Sequence, residues 1–241
     1  MSQNGSAAEP PWLSVIIPCW EDATALAGAL ETFAALPGSA SRELIVADAS
    51  AGPAGRELAR ASGAVVVECP APNRGGQMNA GAARARGTLL LFHHADTEFT
   101  AGHLDALRGV CGDPAVLGGA FHRKFDERHP RLRWLEKLNR TLGAKFGGTI
   151  YGDQSFFVRR EHFVRLGGFK DYPLMEDMEF SRRLRRAGGV RLLDPPIASS
   201  ARRSAQRGAW CTSIQNGAFI LLFKLGVSPV TLHRWYYQWK R

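Results

Sequence analysis

The four cysteines, Cys19, Cys69, Cys111 and Cys211, stand far apart and never as a CxxC pair. That spacing excludes a zinc ribbon or a dithiol redox motif and predicts isolated, reduced thiols of a cytosolic compartment. No apolar run reaches the ~20 residues that a bilayer-spanning helix needs; the longest late one, GAFILLFKLGV, is interrupted by Lys224. The opening MSQNGSAAEPP has neither a basic n-region nor an apolar h-region, so residues 1–11 are expected to be a disordered lead rather than a signal peptide. A GxGxxG after the first strand is missing, as is any GxxxxGK followed by Ser or Thr, which removes the usual dinucleotide and P-loop fingerprints. Acidic residues are also in the minority. Lys and Arg number 31 against 22 Asp and Glu, a net charge of +9, so the surface attracts anions such as phosphates, nucleic acid or acidic headgroups without choosing among them.

What is present suits a globular chain. In 241 residues, a hydrophobic share of 45% allows one large domain with a sizeable core. The first half alternates strand-like and helix-like segments. LSVIIP is β-rich, and ATALAGALETFAAL then sets Leu26, Leu30 and Phe33 at helical spacing behind Asp22 as a cap. ELIVAD and AVVVE are further strands, separated by a helix through AGRELARASG; GGQMNAGAARARG is an Ala-rich helix opening on glycines, and TLLLFHH is a fourth strand. This alternation predicts a mainly parallel α/β sheet flanked by helices on both faces, joined by right-handed crossovers.

Ligands of such sheets bind beyond the carboxyl ends of the strands. Pro18 to Asp22, Asp48 to Ser50, Glu68 to Arg74 and His93 to Asp96 all follow strand ends. Four loops are thereby expected to converge on one edge, and the apolar strand ending in His93, His94, Ala95 and Asp96 is leaving a core to enter a site. Asp48 can accept from a base N–H or a ribose hydroxyl, and Asp96 can hold a divalent ion that bridges a diphosphate. Arg74, beside the Gly75-Gly76 helix start, can meet phosphate charge from the other side.

The strings SVIIPCW, ELIVAD, NRGGQMNAGAARARGTLLLFHHADT, GGF and MEDMEFSRRLRRAG, in this order and spacing, resemble the family 2 glycosyltransferases of GT-A fold over roughly residues 12 to 205. The resemblance is to a small bacterial subgroup whose metal motif reads His-Ala-Asp in place of Asp-x-Asp. It implies a nucleotide-sugar donor, UDP- or GDP-linked, a divalent cation (Mn²⁺ or Mg²⁺), and inversion at the anomeric carbon. It also implies nucleotide-binding positions at Pro18, Trp20, Glu21, Asp48 and Ala95, with Arg74 beside them; Asp96 is the last acid of the metal motif and Asp177, within MED, the base. Glu21-Asp22 stand where relatives usually have Asn-Glu, and Ala49-Ser50 stand where many have Asp-Gly-Ser. His94 in place of an acid brings no charge to a hard cation and suits Mn²⁺ better than Mg²⁺. Asp96 is then the main protein ligand, and the donor diphosphate supplies much of the rest. The plain alternative for His93 and His94 is hydrogen bonding to backbone at a strand end.

A single displacement needs a carboxylate to take the acceptor's proton and a cation to stabilise the departing diphosphate. Asp177 is assigned the first task, with Glu176 as fallback. Acids in a first helical turn also complement the helix dipole, as do the arginines behind them, so capping is the competing reading. Asp153 and Gln154, in YGDQSFFVRR, are expected across the cleft as sugar or acceptor contacts, or else as a turn. Arg202 and Arg203 stand where processive synthases have Gln-x-x-Arg-Trp, which implies transfer of one sugar; either can reach the diphosphate or form an exposed basic turn.

The division expected is a lead (1–11), a glycosyltransferase domain (12–205, with a nucleotide-binding half at 12–99 and an acceptor-side half at 100–205) and a helical extension (206–241). HPRLRWLEKLNRTLGAKFGG reads as a basic amphipathic helix, and LHRWYYQWKR sets aromatic residues between cations. These segments either rest on the cytoplasmic face of an anionic membrane and present a lipid-linked hydroxyl acceptor, or dock on the domain or a partner subunit. Two other functions stay in view. A sugar nucleotidyltransferase needs a Gly-rich phosphate grip that PCWEDAT lacks. A non-catalytic basic module for membrane or nucleic acid leaves Asp48, Asp96 and Asp177 unexplained, and no RNP pattern supports nucleic acid.

Overall fold

The computed structural model describes residues 10–38, 41–123, 150, 152–198 and 209–238. The elements follow in chain order as β1 (Leu13–Cys19), α1 (Ala23–Ala35), β2 (Arg42–Asp48), α2 (Ala54–Ala61), β3 (Val65–Glu68), α3 (Arg74–Arg84) and β4 (Leu89–Phe92). Then come α4 (Ala101–Cys111), β5 (Gly118–Arg123), a 3-10 turn at Gly152–Gln154, β6 (Phe156–Arg159) and α5 (Arg160–Arg165). Last are α6 (Glu176–Ala187), β7 (Val190–Ile197), α7 (Ala209–Lys224) and α8 (Pro229–Gln238).

One seven-stranded sheet has the order β3-β2-β1-β4-β6-β5-β7. The first four strands pair in parallel, as the alternating pattern predicts, and β5 also pairs with β7 in parallel. Among the described strands only β6 runs against its neighbours, pairing antiparallel with β4 and β5. Reversal brings the start of β6 to the edge where β1, β2 and β4 end, because Phe156 lies opposite Phe92. The sheet therefore joins the residues on either side of position 100 in a single layer.

Alternation along β1 divides the core. Val15 and Ile17 pack on one face with Leu26, Leu30 and Phe33 of α1, all buried. Ile16 faces the other side with Met78 of α3 and a group of phenylalanines, Phe92, Phe156, Phe163, Phe169 and Phe180. Their ring centroids lie between 4.9 Å and 6.3 Å apart, and such pairs add about 0.5–1.5 kcal/mol each beyond area burial. Phe180 belongs to α6, so this aromatic layer fixes where α6 begins. Helix α3 sits close on the sheet because Gly81 has no side chain; a Cβ there would stand 2.5 Å from Ile16 Cγ2.

Caps set the helix starts. Asp22 accepts from Ala25 N at 3.0 Å, as expected from the sequence, and Asn73 accepts from Gly76 N at 3.0 Å. Both satisfy amides that a helix cannot pair internally. Helix α6 has Phe180 and Leu184 buried, whereas Ala187, at its end, is exposed. Helices α7 and α8 lie against one another through Phe219 and Tyr236, whose rings are 5.6 Å apart. No helix among the described residues is long and apolar enough to cross a membrane. The basic amphipathic segment expected near 129–148 lies outside the described residues, as do Arg202 and Arg203.

Candidate active site

Four chain segments meet at the carboxyl edge of the sheet. At the β1 and β2 ends, Gln77 of α3 donates to the Cys19 carbonyl at 2.7 Å and the Ala47 carbonyl at 2.8 Å, clamping the two strands. Pro18 is inside β1, and the loop after it lifts Trp20 into solvent, 56% exposed. Glu21 follows with φ +51 and ties this loop to the next: its N–H donates to Ser50 Oγ at 2.8 Å, and its carboxylate accepts from Ala51 N at 2.6 Å. Asp48 lies beneath, fully buried. Its Oδ1 accepts from Ser50 Oγ at 2.7 Å and its Oδ2 from Arg56 Nη1 at 3.1 Å. Cys19, beside it, has its thiol pushed up to about 11 by burial and by the Asp48 charge, so it is an inert core thiol.

At the β4 end the two histidines part company. His93 is buried, its amide donates to the Ile16 carbonyl at 2.9 Å, and its Nδ1 is 2.8 Å from Ser155 Oγ. Its ring stands edge-on to Phe33 and Phe99. Burial pushes its pKa down to about 3, so it is a neutral core residue that joins β4 to the turn before β6. His94, Ala95 and Asp96 are half-buried in the turn that follows, closed by Thr97 N donating to the His94 carbonyl at 3.0 Å.

The opposite wall is the start of α6. Met175, at φ +69, turns the chain sharply into the helix, and Glu176, Asp177 and Glu179 are all buried in its first turn. Arg74, from the donor side, reaches this wall: Nε pairs with Glu176, and Nη2 lies 3.4 Å from Asp177 Oδ2. Asp177 also accepts from Gly152 N at 2.6 Å and Met178 N at 2.7 Å. Burial pushes the Glu176 carboxyl up against the pull of Arg74, with the Asp177 charge adding to the rise. Gly152 is small for a reason: a Cβ there would stand 3.0 Å from Asp177 Oδ2 and 3.1 Å from Arg74 Nη1. Glu179 is paired with Arg183 and Lys170.

Gln154 is buried and donates to the Phe121 carbonyl at 2.9 Å, anchoring the turn to β5. Asp153 occupies the same turn. Sequence reasoning missed Arg56, Asn73, Gln77 and Gly152. Of these only Asn73 carried a readable signal, a polar residue directly before a helix.

The model of the family described as Glycosyl transferase family 2 matches residues 14–167, which is most of the chain. The chain belongs to that family. Of the readings open from the sequence, membership selects the glycosyltransferase over the nucleotidyltransferase and the non-catalytic module. A search of the curated proteins finds no match. Among solved structures, a mannosyltransferase from Pyrobaculum calidifontis, in complex with GDP-Man and Mn²⁺, is similar at 19% identity and TM-score 0.68, over 91% of this chain and 66% of that one. The glycosyltransferase thus spans slightly less than two thirds of that protein's length. Glucosyl-3-phosphoglycerate synthase from Mycobacterium tuberculosis, with Mn²⁺, UDP and its product, is similar at 20% identity and TM-score 0.61, over 90% and 81%. Mannosyl-3-phosphoglycerate synthase from Rubrobacter xylanophilus is similar at 20% identity and TM-score 0.58, over 89% and 74%. At such identities the likeness establishes the GT-A fold.

The glycosyltransferase's own residues fit a divalent cation that shares its coordination with substrate. Asp96 offers carboxylate oxygens, His94 an imidazole two residues earlier in the same turn, and Thr97 Oγ1 is buried without a hydrogen-bond partner. Among the described residues, no three His, Cys, Asp or Glu side chains converge as a ready cage.

Proposed function

We propose that this glycosyltransferase moves one sugar from a UDP- or GDP-linked donor to a hydroxyl acceptor with inversion, assisted by Mn²⁺ or Mg²⁺. The observation that carries the reading is Arg74. It follows the β3 loop on the donor side yet pairs with Glu176 and Asp177 about a hundred residues later, which supports a single cleft between the nucleotide loops and the acid wall.

Asp177 is the base. Its Oδ2, oriented by Gly152 N, takes the proton from the acceptor hydroxyl as that oxygen attacks the anomeric carbon. The bond from that carbon to the diphosphate breaks on the opposite side, which inverts the configuration. Glu176, 2% exposed and paired with Arg74, braces that arginine rather than meeting the acceptor. Asp96 and His94 would hold the cation, which when bound would supply positive charge to the leaving diphosphate. The Mn²⁺ and nucleotide ligands of the similar mannosyl- and glucosyl-transferring enzymes support this choice.

The acceptor side includes a membrane contact in this reading. Leu221, Leu225, Val230 and Trp235 are exposed on α7, α8 and the turn between them. Residues 195–241 hold seven Lys and Arg and no Asp or Glu. An apolar surface in so basic a segment matches an anionic bilayer on which a lipid-linked hydroxyl is presented. Co-sedimentation with vesicles containing phosphatidylglycerol, but not with phosphatidylcholine alone, is the expected result.

The test of the function is a screen of nucleotide-sugar hydrolysis with Mn²⁺, with Mg²⁺ and with chelator. Slow, cation-dependent release of UDP or GDP from one donor is expected. Absence of hydrolysis and of any donor-induced thermal shift would sink the proposal, and pyrophosphate release from a sugar phosphate and a nucleoside triphosphate would replace it with nucleotidyl transfer.

A further inference from the structure

The acid that should read the nucleotide base is not at the surface. Asp48 is fully buried; Oδ1 accepts from Ser50 N at 3.3 Å and Ser50 Oγ at 2.7 Å, and Oδ2 accepts from Arg56 Nη1 at 3.1 Å. Above it lies the guanidinium of Arg56, which also donates to the Ser50 carbonyl at 2.9 Å. These two contacts engage Nη1 and fix the plane of the group. Nη2 is not part of them, and 16% of the side chain reaches solvent. Trp20 is exposed on the neighbouring loop, joined to this one through Glu21 N and Ser50 Oγ, and offers an aromatic face of the kind on which bases stack.

We infer that Arg56, held by Asp48 and Ser50, reads the donor's base, and that it selects uracil and guanine, with an oxo group at C4 or C6, over cytosine and adenine, with an amino group there. The inference rests on the nucleotide-sugar reading above and names the contact that chooses the nucleotide.

A guanidinium donates and never accepts. Facing the O4 of uracil or the O6 of guanine it gains a hydrogen bond. Facing the amino group that cytosine or adenine carries at the corresponding place, two donors oppose each other and neither is satisfied. A site built to pair a polar group rejects the analogue that lacks the partner far more strongly than an apolar pocket rejects a change of size. Lysine would not serve equally, since a flexible ammonium is not held in a plane by two acceptors. Asp48 is then a positioning residue, acting on the base through Arg56.

Binding of UDP, GDP, CDP and ADP, each with Mn²⁺, to the full chain by calorimetry decides the matter. Wild type is expected to bind UDP or GDP at least tenfold tighter than CDP and ADP. Arg56→Met should bring all four within about threefold while the diphosphate still binds. Because that change leaves Asp48 buried without its cation, the double variant Asp48→Asn with Arg56→Met keeps the test open by removing both charges together. Discrimination at the wild-type level in either folded variant overturns the role of Arg56 and leaves the glycosyltransferase reading standing. Equal binding of all four by wild type overturns the role as well, and binding of none overturns the donor reading together with it.

Discussion

Of the acids in this protein that pair with an arginine, Asp48 and Asp177 sit in opposite settings. Asp48 at the end of β2 has a side chain that is 0% exposed, and its Arg56 is 16% exposed; Asp177 at the start of α6 is 11% exposed, and its Arg74 is 37%. The first carboxylate is enclosed by donors from its own loop and helix. The second keeps an edge on the cleft and borrows its arginine from the opposite wall. An acid beside an arginine is therefore no mark of catalysis by itself. What separates a support from a working group is whether substrate can reach the acid, and whether its partner comes from the same wall or across the site.

The largest effect expected from this contrast is at Asp177. Asp177→Asn keeps shape and removes the proposed base, so kcat should fall about 10²–10⁴-fold, the usual contribution of a positioned general base. Donor affinity and melting temperature should stay near wild type. A variant with a normal turnover rate removes Asp177 from the chemistry. Arg74→Ala comes next: it strips the cation from buried Glu176, and breaking a buried pair costs roughly 3 kcal/mol. The double change with Glu176→Gln should recover most of the thermal stability but not the rate, since Asp177 remains without its cross-cleft partner. Recovery of both would reduce Arg74 to a structural brace.

At Asp48 the order of effects reverses. Asp48→Asn leaves Arg56 with a neutral partner in a dry site, at a cost of about 2–3 kcal/mol. In a chain of this size that lowers the melting temperature by roughly 4–12 °C. Donor KM should rise while kcat with saturating donor changes little. An unaltered melting temperature would erase the distinction between the two acids.

The strands, their edge and the loops that carry the candidate site were legible because burial and chain reversal leave local marks. Val15 and Ile17 alternate with Ile16, Asp22 precedes an amphipathic run, and Asp48, Asp96 and Asp177 stand where strands or helices begin and end. Three things left no such mark. The antiparallel direction of β6 follows from a turn at Gly152–Gln154 whose partners are distant in sequence. The separation of His93, neutral among phenylalanines, from His94 in the turn depends on which side of the sheet each faces. Arg56 looks like any solvated arginine on an amphipathic helix, and only the tertiary position of Asp48 gives it a role. Arg74 shows the same thing from the other direction. Its place before two glycines suggests a phosphate contact, and the structure adds its pairing with Glu176 and Asp177, which no local pattern could specify.

The smallest effect belongs to an acid at the far edge of the sheet, and it calibrates the other two. Glu43 accepts from Ser14 Oγ at 2.6 Å, Arg86 N at 2.6 Å and Arg86 Nε at 3.0 Å, joining β1, β2 and the turn before β4. Burial alone would push its carboxyl up, but the hydrogen bonds from Ser14 and Arg86 outweigh burial and hold it below the ordinary glutamate range. A folded value below the unfolded one means that the unfolded chain binds the proton more readily. The stabilisation is therefore complete above the unfolded value, near 4.3, and is lost as pH falls through the folded one. In Glu43→Gln the amide oxygen can still accept from Ser14 or the Arg86 amide, but the NH₂ faces the Arg86 guanidinium, donor against donor. About 1–2 kcal/mol should be lost at pH 7, with turnover unchanged because the site is at the other edge. The gap in melting temperature between wild type and variant should narrow steadily as pH drops from about 5 to 3. A gap of constant size across that range would mean that Glu43 works by shape and not by charge.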